Sequence, residues 1–109
     1  MSMNQVLVDI ATERQRQLEK WGDQTHPFTA IGASAHKYLA DQWKRRNDKM
    51  NDVNPDGIAW DSIALEELHE AFAEEDPAKI RQEAIETAAV MVALVEQIDR
   101  QAVPQDPEG

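Results

Sequence analysis

Two pairs of glutamates, Glu67 with Glu70 and Glu83 with Glu86, have the residue type and spacing most suited to chemistry in this chain. Carboxylates three residues apart on a helix lie on neighbouring surface and can reach a common point. On a wheel at 100° per residue, Trp60, Ile63, Ala64 and Ala71 share one arc. Glu67 falls inside that arc and Glu70 at its edge, whereas Glu66 and His69 point further away. In the next helical segment Glu83 stacks on the line of Val90 and Leu94, and Glu86 lies between the lines of Val90 and Ala93. Glu67 and Glu70 are thus the pair aimed inward, and Glu83 and Glu86 start on surface that the following turns must bury.

Ionised carboxylates converging in a partly dry site repel one another and lose hydration, so they must be protonated or matched by cations. A hard divalent ion meets that requirement. Oxygen ligands select Mg²⁺ or Mn²⁺ over softer metals, and Mg²⁺ keeps open positions suited to phosphate oxygens. The chain has no cysteine, which removes thiolate sites and disulfides. Arg14 and Gln17 fall on the apolar side of the first helical segment among Val6, Ile10, Leu18 and Trp21, where an inward Arg can pair with carboxylate or phosphate. The same glutamates also fit a solvated helix face, the ordinary fate of a charge run.

Four helical segments are expected to position these residues, because apolar residues recur at three and four instead of two. The first spans about 4–20 and stops at Gly22. The second, about 29–46, carries Ile31, Ala35, Tyr38, Leu39 and Trp43, and ends in the polar stretch 47–54. The third spans about 59–75 after the turn residues Pro55, Asp56 and Gly57, and Asp76 then Pro77 caps and starts the fourth. That fourth helix, 77 to about 101, contains Ala88 to Val95, apolar on every side as in a helix wrapped by others. The expected architecture is all-α, one domain over 1–101 with a disordered tail at 102–109.

With 109 residues, one modest core is available, and oligomerisation would help it. The net charge of −10, from 21 acids and 11 bases, disfavours direct contact with nucleic-acid backbone or an anionic membrane. The longest apolar stretch is too short to cross a bilayer and no signal peptide opens the chain, so a cytoplasmic location is expected. Eight of the eleven Lys and Arg lie within 14–49, whereas 61–76 holds seven acids and no Lys or Arg.

Glu-Glu-Leu-His-Glu at 66–70 and Glu-Ala-Ile-Glu at 83–86 resemble the EExxE and ExxD signature of the all-alpha nucleotide pyrophosphohydrolases. Within them, the chain is similar to the MazG-like group, whose small members carry an RQxxKWGxQxHP element like Arg14 to Pro27 here, and Ala88-Ala89-Val90 extends the likeness. The resemblance covers about residues 10–100. It implies a four-helix bundle-like fold, a homodimer or homotetramer, and Mg²⁺-dependent hydrolysis of a nucleoside triphosphate to monophosphate and pyrophosphate. It also implies metal ligands at Glu67, Glu70, Glu83 and Glu86, with Glu66 supporting them or positioning a water. Two departures stand out: Glu86 replaces the usual Asp, and a whole helix with a polar loop separates His26-Pro27 from Trp60.

On that reading Lys20, Arg14 or the basic residues of the second helix hold phosphate oxygens, while Trp21 or His26 contacts base or ribose. Plain core packing is the alternative for Trp21, loop hydrogen bonding for His26, and an exposed face for Lys37, Lys44, Arg45 and Arg46. Two rival functions remain. One is a calcium loop opening at Asp52-Val53-Asn54-Pro55-Asp56-Gly57, with Ile63 where a bidentate Glu belongs. The other is a non-catalytic oligomeric helical protein with a structural metal site.

Overall fold

The computed structural model describes residues 3–102, which form four helices: α1 (Met3–Trp21), α2 (Ala33–Val53), α3 (Trp60–Ala73) and α4 (Pro77–Ala102). Among the described residues there is no strand, so the chain is all-α. The expected tail lies outside that range except for Ala102, which closes α4. No helix of the described residues is long and apolar enough to cross a membrane.

The chain divides into two compact units, 1–26 with 92–109 and 27–91, and α4 runs from one into the other. In the first, α1 ends where the pattern predicts. Gly22 takes φ 67, and its N–H donates to the Leu18 carbonyl at 2.8 Å. A side chain at that left-handed position would be strained, so glycine is the natural stop. Val6 is the buried anchor of α1, whereas Leu7, Val8, Ile10 and Trp21 remain exposed.

The second unit is organised by α2 lying along α3. Residues Ala40 and Asn47 of α2 and Ser62 and Ala71 of α3 are buried, and their small size lets two backbones approach closely. Helix α2 starts and ends later than its pattern suggests. The Thr29 hydroxyl accepts the N–H groups of Ile31 (3.2 Å) and Gly32 (3.1 Å), and Gly32 takes φ 95, so a turn precedes the helix. At the far end the polar stretch after Arg46 stays helical to Val53 because its stripe continues: Ala40, Trp43, Asn47 and Met50 recur at three and four and are all at least half-buried. Ile31 and Tyr38, expected on the packed face, are exposed.

A 3-10 turn over Pro55–Gly57 leads into α3, and the Asp76-Pro77 boundary forms as expected, with Asp76 Oδ1 accepting the Ala78 N–H at 3.0 Å. The expectation that α4 is wrapped on every side does not hold within one chain. Val92 is buried, but Ala88, Ala89, Met91 and Val95 are exposed, Met91 to 46%. All-round apolarity specifies burial only if partners exist for every face, and the described residues leave these side chains uncovered.

Candidate metal centre

Helices α3 and α4 bring three of the four anticipated acids together. Glu67, Glu70 and Glu83 each offer one carboxylate oxygen such that the three lie within 4.8 Å of one another, all on half-buried side chains. Oxygen ligands about 2.1 Å from one Mg²⁺ sit about 3 Å apart when adjacent and about 4.2 Å apart when opposite. Closing the observed spread needs only small side-chain rotations. The donor set is all oxygen, which suits a hard cation.

Burial and like charge act on all three acids. Glu70 is pushed up to about 7, first by desolvation, then by its hydrogen bond with Glu66 and the charges of Glu67, Glu66 and Glu83. Burial raises Glu67 as well, helped by the charges of Glu86 and Glu66. Glu83 is raised by burial, by its hydrogen bond with Glu86, and by the charges of Glu86, Glu67 and Glu74. In addition, Glu83 Oε2 is enclosed with no hydrogen-bond partner. Leaving a buried acceptor unpaired costs about 1–3 kcal/mol and more if it is charged, and a bound cation removes that cost. The residues present therefore fit a divalent ion.

Glu86 stands beside this group and not within the converging triad. It is exposed, accepts from Gln82 Nε2 at 3.3 Å, and meets Glu83 through a shared hydrogen bond. Glu66 is better placed than its wheel position suggests, and so is Asn47, which the pattern had assigned to a polar stretch. The amide nitrogen of Asn47 donates to the Ser62 carbonyl (3.0 Å) and to Glu66 Oε1 (2.8 Å), using both its hydrogens to tie α2 to α3. A relay thus runs from Asn47 through Glu66 to Glu70. The signal for Asn47 was its place seven residues after Ala40 on the packed stripe.

His69, also expected to point away, lies half-buried against α2, its Nδ1 3.0 Å from Nδ1 of His36. Its imidazole is held below the ordinary range by desolvation and then by His36. A single wheel arc misses these contacts because α3 is used on two flanks, toward α2 through Ser62, Glu66 and His69 and toward Glu83 through Glu67 and Glu70.

Of the residues expected to meet substrate, Arg14, Lys20 and Trp21 are exposed on α1, Gln17 is half-buried there and hydrogen-bonds Glu13, and His26 is exposed after the helix. Trp21 is 53% exposed, with the Lys20 Nζ 4.8 Å from its ring centroid. These five belong to the unit containing α1, whereas the acids belong to 27–91. Lys37, Lys44, Arg45 and Arg46 are exposed as expected. Lys44 nevertheless feels the site: Asp48, 3.3 Å away, raises its pKa first, and the charges of Glu66 and Glu70 add to this.

The calcium-loop rival gains no geometry. Asp52 sits in the last turn of α2 and Asp56 in the 3-10 turn, and among the described residues no third acid joins them within metal reach. A cavity of about 140 Å³ lies beyond the α2–α3 pair, lined by Trp43, Arg46, Asn47, Met50, Asp61 and Ser62 among others. It is far smaller than the roughly 300 Å³ at which ligand pockets begin, so a nucleotide does not fit inside it.

No family model, curated protein or solved structure matches the chain.

Proposed function

We propose that the chain is a Mg²⁺-dependent nucleoside triphosphate pyrophosphohydrolase of the MazG-like kind, with its helices forming the bundle-like fold of that group. The observation that carries this reading is the convergence of Glu67, Glu70 and Glu83, together with the enclosed, unpartnered Glu83 oxygen. The sequence likeness at 66–70 and 83–86 supplies the reaction class. Mn²⁺ is the alternative ion.

Bound Mg²⁺ would neutralise charge on the phosphate chain and lower the pKa of a water. Glu67, Glu70 and Glu83 would hold it, with the neighbouring Glu86 adding negative charge. Glu66, one oxygen fixed by Asn47, accepts a hydrogen bond from the attacking water and orients it. Water adds to the α-phosphorus, the bond to the bridging oxygen breaks, and pyrophosphate leaves with a nucleoside monophosphate and one released proton. Lys44 supplies the basic charge of α2 that is coupled to Glu66 and Glu70. Arg14, Gln17, Lys20, Trp21 and His26 are proposed as nucleotide contacts on the sequence likeness alone.

We also propose a homodimer or homotetramer in which a second copy covers the apolar residues of α4. Ile85 (48%), Met91 (46%) and Ile98 (51%) are exposed apolar side chains of α4 that a second copy would cover.

The test is incubation of the purified chain with each nucleoside triphosphate and Mg²⁺, followed by pyrophosphate assay. Release that disappears in Glu67→Gln, with helical content unchanged, supports the reading. Unchanged turnover in that variant contradicts it.

A further inference from the structure

His36 and His69 are not used by the acidic centre. They come from α2 and α3, within one compact unit, and are both half-buried. Their Nδ1 atoms stand 3.0 Å apart, their ring centroids are 5.2 Å apart with planes tilted by 33°, and Phe72 packs on His36 at 5.3 Å. Two imidazoles this close have one satisfactory arrangement without an ion, in which one Nδ1–H donates to the lone pair of the other. Moving that proton to Nε2 of the same ring leaves both Nδ1 lone pairs free at neutral charge.

We infer that His36 and His69 form a second metal site, built on imidazole nitrogen and selective for a borderline divalent ion of tetragonal geometry, Ni²⁺ or Cu²⁺. At metal–nitrogen distances of about 2.05 Å, a 3.0 Å separation corresponds to an angle at the metal of roughly 94°. That is the angle between adjacent ligands in a square or octahedral ion. A tetrahedral ion such as Zn²⁺ places its nitrogens about 3.3 Å apart, a wider opening than this pair shows. Imidazole also favours Ni²⁺, Cu²⁺ and Zn²⁺ over Mg²⁺, which the carboxylate triad prefers. The ion's remaining positions are filled by water. Two sites of opposite ligand chemistry thus flank α3, and an ion on the histidines clips α3 to α2. This inference does not depend on the pyrophosphohydrolase reading.

The experiment uses the full, untagged chain, since a histidine tag would compete. Cu²⁺ is added at one equivalent and its paramagnetic resonance spectrum recorded, and Ni²⁺, Zn²⁺ and Mg²⁺ are titrated by calorimetry. The wild-type chain is expected to show superhyperfine coupling to two nitrogens and to bind Ni²⁺ at least tenfold more tightly than His36→Asn does. His36→Phe keeps a ring against Phe72 while removing the lone pair, so loss of binding there, with helical content retained, is a loss of ligand and not of fold. Glu67→Gln should keep the nitrogen coupling, which separates this site from the acidic one. Nitrogen coupling and Ni²⁺ affinity unchanged in both His36 variants would overturn the inference, as would a wild-type copper spectrum without nitrogen coupling.

Discussion

Replacing Glu70 with Gln is expected to stabilise the metal-free protein while destroying the proposed metal site. Glu70 titrates at about 7 in the folded chain against an ordinary 4.5. A carboxyl whose folded pKa is raised binds more protons folded than unfolded between those values, so stability falls as pH rises through that window and stays low above it. A shift of this size has a ceiling of about 3.4 kcal/mol at 1.36 kcal/mol per unit. The side chain is only half-buried, so screening reduces the expected penalty to about 1 kcal/mol. Glutamine is uncharged, and its amide N–H can donate to Glu66 as the protonated carboxyl does. In EDTA at pH 8, Glu70→Gln should therefore melt about 4–8 °C above the wild type, by the usual conversion for a domain of this size. At pH 4.5 the difference should vanish. Adding Mg²⁺ should raise the wild-type midpoint and leave the variant's unchanged. A variant less stable than the wild type in EDTA at pH 8, or a wild-type stability flat from pH 4.5 to 8, would refute the electrostatic account.

Further outcomes follow from the same contacts. Asn47→Ala should cost about 1–3 kcal/mol in chemical denaturation, because Glu66 and the Ser62 carbonyl both lose a buried donor; a neutral result would show that the bridge between α2 and α3 is incidental. Mg²⁺ affinity measured by calorimetry should weaken as pH drops below about 7, where protons compete for Glu70, and a pH-independent constant would argue against a carboxylate site. Gly22→Ala should destabilise the chain by about 1 kcal/mol through the left-handed backbone at that position, read from the urea midpoint. Met91→Lys should shift the mass measured by light scattering toward the monomer, whereas an unchanged oligomer would place the interface elsewhere.

The sequence made legible those parts governed by local rules. Gly22 and Asp76-Pro77 mark helix ends through backbone conformation and capping, which need no distant partner, and the structure has both boundaries where expected. The pairing of Glu67 and Glu70 with Glu83 was also readable, since helical spacing alone aims them inward. What the pattern missed depended on tertiary contact. Asn47 is polar yet buried because Ser62 and Glu66 satisfy it, so a hydropathy stripe undervalues it and ends α2 too soon. Glu66 and His69 were placed outward because a wheel centred on one apolar arc ignores a second packed flank. The run Ala88 to Val95 reads as the centre of a bundle, but one chain leaves Met91 and Val95 exposed, and only a further surface can bury them.

Diffraction from crystals grown with Mn²⁺, recorded at the manganese absorption edge, shows whether carboxylates of α3 and α4 share one hard cation. An anomalous peak is expected about 2.2 Å from an oxygen of each of Glu67, Glu70 and Glu83. No peak there, with those side chains splayed apart, would contradict a shared cation.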